Sequence, residues 1–94
     1  MTSLPAVLPR RRPEVLVADF DTELVILVPE IRPAHHLDEG LSLVLTSCDG
    51  VTPTATLIEE VSVATGDSPD AVRDWLIDAL RRLTELAVFA PPGT

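Results

Sequence analysis

The apolar period of this chain changes once, near Leu37 and Asp38, from two residues to about 3.6. Side chains alternate sides along a strand and return to one side every three to four residues along a helix. The change therefore divides strand-forming from helix-forming sequence. A chain of 94 residues supports one modest core and is too short for two, so both halves must share it.

Before the change, EVLVADF (Glu14 to Phe20) and ELVILV (Glu23 to Val28) are rich in β-branched and apolar residues and flank Asp21-Thr22. They predict a hairpin. Leu24, Ile26 and Val28 share one face, Val25 and Leu27 the other, so the second face needs cover or a partner. IRPAHHL (Ile31 to Leu37) predicts a third strand. Pro33 has no N–H to give a ladder, which confines this strand to the sheet edge. An edge strand keeps unpaired backbone groups that another chain can pair with.

After the change, Asp38 is a candidate N-cap for a short helix to about Ser47, with Leu41, Val44, Leu45 and Cys48 on one side. Asp49-Gly50 ends it. Thr52 as N-cap and Pro53 at the first helical position open a second helix through about Ala64, with Leu57, Ile58 and Val61 inward. Ser68-Pro69 repeats the start signal for a third helix to about Leu86, striped by Val72, Leu76, Ala79, Leu80, Leu83 and Leu86. Strand, strand, strand, helix, helix, helix predicts an α+β domain of winged-helix type, a three-stranded antiparallel sheet followed by a three-helix bundle. Residues 1–12, with Pro5, Pro9 and Arg10-Arg11-Arg12, have no period and predict a flexible arm, with order beginning near Pro9. The three arginines read as a solvated run or as an anchor for an acidic partner. The domain is expected over 13–90 and a tail over 91–94, with a short extended piece from Val88 to Ala90.

Fifteen acidic and seven basic residues give a formal charge of -8. Phosphate backbones and anionic lipid repel such a domain, which argues against nucleic-acid and membrane partners. The third helix, the reading helix of a DNA-binding winged helix, has Asp70, Asp74, Asp78 and Glu85 against Arg73, Arg81 and Arg82. No segment approaches the roughly 20 apolar residues of a membrane span. One cysteine cannot form an internal disulfide, which fits a reducing compartment. A soluble, cytoplasmic protein is expected.

The stretch from His35 to Thr54 crowds two histidines, several acids and Cys48 together. Adjacent strand residues point to opposite faces, so His35 and His36 cannot both ligate one zinc ion, and no second ligand pair accompanies them. Cys48 continues the apolar period of its helix, where a free cysteine acts as a small hydrophobe. A thiolate nucleophile with a histidine base would need it exposed and activated. Asp49-Gly50 lacks the alternating acids of a calcium loop. No phosphate loop, GxSxG elbow or dinucleotide fingerprint occurs. No enzymatic activity, catalytic residue, metal or cofactor is expected.

What remains is binding. If the edge strand and the third helix lie side by side, they form a groove into which an extended peptide can add as a strand. Trp75 lies off the centre of the third helix's stripe and reads either as a core residue or as a groove-lining anchor.

Several segments in order resemble the PqqD-like family, the recognition elements for ribosomally made precursor peptides. PRRRPEVLV is similar to that family's lead into strand one and ELVILVP to its second strand. AHHLDE falls where the family's third strand ends in Leu-Asn, with Asp38 in place of the Asn. LVLTSCDGVTPTATLI resembles its helix, Cys-Asp-Gly turn and Thr-x-x-x-Ile helix start, with Thr54 and Ile58 at those two places. DWLIDALRRLTELAVF resembles the closing helix, with Ala87 where Gly is common and Trp75 without a standard counterpart. The resemblance covers about residues 9–90, and its most specific part is the Asp49-Gly50, Thr54, Ile58 spacing.

The resemblance implies a stand-alone, non-catalytic module. It would bind the leader segment of a precursor peptide and present it to a modifying enzyme or leader protease. A lasso-peptide protease, a radical SAM enzyme and a cyclodehydratase are the candidate clients. It also implies strand addition to the third strand beside the third helix. The peptide-binding residues expected are Arg32, Pro33, Ala34, His35 and His36 through their backbone, and Val72, Trp75, Ala79 and Arg82 as the helix wall. Arg82 would pair with a leader carboxylate. The competing expectation is a small structural or regulatory dimer that pairs through the same edge.

Overall fold

The structure is a computed structural model that describes residues 4–29 and 31–90, with the side chains of 31–33 excluded. The expected tail over 91–94 and the first three residues of the expected arm lie outside the described residues.

Three strands precede three helices: β1 (Leu16–Phe20), β2 (Glu23–Val28), β3 (Ile31–Leu37), α1 (Glu39–Ser47), α2 (Thr54–Thr65) and α3 (Pro69–Glu85). The sheet is antiparallel in the order β1-β2-β3, the α+β architecture expected. The β1–β2 hairpin turns at Asp21, whose φ of +60° is a left-handed conformation that aspartate tolerates. Leu24, Ile26 and Val28 point to the core and are buried, as the period of two requires. On the other face Leu16, Phe20 and Leu27 stay exposed among the described residues. The ladder between β2 and β3 is irregular between Ile26 and Val28.

Each helix start has a local cause. Asp38 Oδ1 accepts from the Leu41 N–H at 2.8 Å, and Ser68 Oγ accepts from the Ala71 N–H at 3.2 Å ahead of Pro69. The start of α2 differs from expectation. Thr52 is no cap: its hydroxyl donates to Asp49 Oδ2 at 2.6 Å, and the helix begins two residues later at Thr54 with no side-chain cap bond. The Thr54 hydroxyl instead donates to the Pro5 carbonyl at 2.6 Å.

That bond belongs to a second difference. Residues 4–12, expected as an arm, are built into the domain. Leu8 is fully buried, its N–H donates to Thr52 O at 2.8 Å, and Thr54 N–H donates to Ala6 O at 3.0 Å. Arg12 N–H donates to Val88 O and Ala90 N–H to Arg10 O, so the segments before β1 and after α3 pair with each other around Phe89. Burying Leu8 removes a large aliphatic side chain from water, and together with the backbone bonds to Thr52, Thr54, Val88 and Ala90 it offsets the cost of ordering the segment. The core joins Leu8 and Val15 to the inner faces of the sheet, α1, α2 and α3.

Candidate functional site

β3 borders β2 on one side and, among the described residues, no strand on the other. Its outer edge therefore presents backbone N–H and C=O groups without a ladder partner. β1 is the other edge of the sheet, two residues shorter.

The two histidines diverge as their spacing requires. His36 faces the exposed side of the sheet, with Nε2 3.0 Å from Glu23 Oε1. His35 lies opposite buried Ile26 on the core side, and its Nε2 is buried without a hydrogen-bond partner. Ala34 is exposed. The backbone of Arg32 and Pro33 belongs to β3, while their side chains lie outside the described residues.

Beyond β3, Trp75 of α3 covers the junction into α1. A Cβ built on Gly40 would come within 3.3 Å of Trp75 Cζ2, so the indole lies against a position that only a glycine leaves fully open. Trp75 is 37% exposed, neither a core residue nor a free one. It lines a cavity of about 670 Å³ formed by three parts of the chain. The hairpin contributes Asp19, Asp21, Thr22 and Leu24; α1 contributes Glu39, Leu43 and Thr46; the α2–α3 corner contributes Val61, Asp67 and Val72.

Of the expected helix wall, Val72 and Trp75 meet in this cavity. Ala79 is buried in the core cluster, and Arg82 is outside the cavity. The Arg82 Nε sits 3.0 Å from Asp78 Oδ2, so its expected leader carboxylate has an internal competitor on the same helix. Arg81 also bonds Asp78, and the two guanidiniums, Arg81 foremost, hold the Asp78 carboxyl below its ordinary range. No described side chain of β3 lines the cavity. Asp19, Asp21, Glu39, Leu43 and Asp67 were not expected at a site because they come together only through tertiary packing, and Val61 was expected only on the inner face of α2. Leu43 alone left a signal, as an apolar residue off the α1 stripe.

The Cys48–Thr52 turn is structural. Cys48 is buried, and burial, followed by the neighbouring Asp49 charge, pushes its thiol up to about 12, far from a nucleophile's range. Asp49 accepts from the Thr52 hydroxyl and from the N–H groups of Thr52 and Val51, which lower its carboxyl to about 2. Gly50, at φ +81°, passes so close to Arg10 that a Cβ there would meet the Arg10 Cβ at 3.0 Å. Among the described residues no three His, Cys, Asp or Glu side chains gather as metal ligands. Nor is any described helix long and apolar enough to cross a membrane.

Compared with protein-family models, with curated proteins and with solved structures, the chain matches none.

Proposed function

We propose that this chain is a PqqD-like peptide-recognition module, which binds the leader of a ribosomally made precursor peptide as an added strand on β3. It presents the attached core segment to a modifying enzyme or leader protease in the cytoplasm. The observation that carries this reading is the pairing of a seven-residue edge strand with a half-exposed tryptophan at its exit. Main-chain bonds to β3 supply affinity, and side-chain contacts near Trp75 supply selectivity. The module itself performs no chemistry; the client enzyme does. A lasso-peptide protease, a radical SAM enzyme or a cyclodehydratase fits that role equally.

The test is isothermal titration of the full chain with synthetic leaders of precursors encoded beside its gene. Binding at micromolar affinity or tighter is expected. Backbone N-methylation of the bound leader should weaken it at alternate residues, because only every second N–H of an added strand faces β3. A uniform response to N-methylation would contradict strand addition. A stable dimer closed through β3, seen by sedimentation, would favour the competing reading of a structural or regulatory dimer.

A further inference from the structure

We infer that the Trp75 cavity is a second peptide subsite, one that takes a large apolar side chain flanked by lysine or arginine. The inference deepens the peptide-recognition reading and rests on it for the identity of the occupant.

The volume of about 670 Å³ lies within the roughly 300–1,000 Å³ of sites that enclose small ligands and side chains. Its apolar lining comes from Leu24, Leu43, Val61, Val72 and Trp75. Among the described residues its charged lining is of one sign, Asp19, Asp21, Glu39 and Asp67. None of these four carboxylates has an ion-pair partner among the described residues.

The chain contains no lysine, and none of its described arginines lines the cavity. Arg12 donates to the Ala87 carbonyl, Arg81 and Arg82 pair with Asp78, and Arg10 and Arg11 bridge Asp49 and Phe89 through their backbones. Among the described residues no basic side chain therefore offsets the rim charge. Low-dielectric walls focus the field of such a rim, and an indole face adds attraction for a cation. An anionic or phosphate-bearing ligand is repelled by the same rim, and among the described residues no three ligating groups gather there to hold a metal ion.

Continuity with β3 points to the source of the occupant. Trp75 stands against Gly40, three residues beyond the end of β3, so a peptide added along that strand runs off its end toward the cavity. The flanking segment of the same peptide then supplies the apolar anchor and its basic neighbours.

Two capped tripeptides, Lys-Leu-Lys and Glu-Leu-Glu, test the subsite on the full chain. Emission of Trp75, the sole tryptophan, and amide shifts at Leu43, Val61 and Val72 are the readouts. The basic probe should bind about tenfold tighter than the acidic one. That preference should shrink with added salt and in the exposed double variant Glu39→Gln/Asp67→Asn. Equal binding of the two probes, shifts that map away from the cavity, or the same shifts on raising protein concentration without probe would each overturn the proposal. Failure here is separable from failure of strand addition, which is read from β3 amide protection with a whole leader.

Discussion

Ala87 adopts φ +59° just past the end of α3, in the left-handed region that costs a residue with a Cβ. It completes a helix stop in which Ala87 N–H donates to Thr84 O at 3.0 Å and Val88 N–H reaches Leu83 O at 3.5 Å. Leu83 and Val88, both fully buried, close the motif with an apolar contact. Ala87→Gly should raise stability by about 0.5 kcal/mol, relief of strain outweighing glycine's extra freedom in the unfolded chain. A lower urea midpoint for the variant would contradict this. Asp49 makes a prediction of opposite sensitivity to acid. Its carboxyl is lowered from 3.8 to about 2, so its contribution is fully present above the unfolded value and is lost as pH falls toward 2. The stability gap between the protein and Asp49→Asn should therefore close over that window, as followed by denaturant melts at stepped pH. Caps such as Asp38 and Ser68 were legible in the sequence because a cap bonds within three residues. Thr52 was not, because its hydroxyl, which as a cap would accept from a helix N–H, instead donates to the Asp49 carboxylate.

All six elements follow from local period and punctuation, and the structure shifts their ends by only a few residues. The segment before β1 did not follow. Its fate depends on distant residues, Thr52, Thr54 and Val88, whose backbones it meets only after the helices have packed. Leu8→Ala tests this: it should cost about 3 kcal/mol, the range for emptying a fully buried leucine site. A cost below about 0.5 kcal/mol, as for an exposed residue, would return the segment to an arm. The edge position of β3 was legible through Pro33. The composition of the α3 wall was not, because one helix face, from Val72 to Arg82, divides between cavity, core and an internal ion pair.

At the scale of the molecule, charge and topology act together. An excess of acid without any lysine leaves the hairpin–helix cavity negative, while the apolar residues of one sheet face remain in view. Three groups of the crowded stretch from His35 to Thr54 have structural partners. His36 meets Glu23, Cys48 enters the core, and Asp49 holds a turn. What remains on that stretch with unmet capacity is the backbone of β3 and the buried Nε2 of His35.

Amide hydrogen exchange of the full chain, with and without a leader that binds it, tests that claim most directly. Strand addition predicts new protection at alternate amides of Ala34–Leu37 and none along β1. Binding that leaves these amides unprotected, or protects Leu16–Phe20 instead, would contradict it.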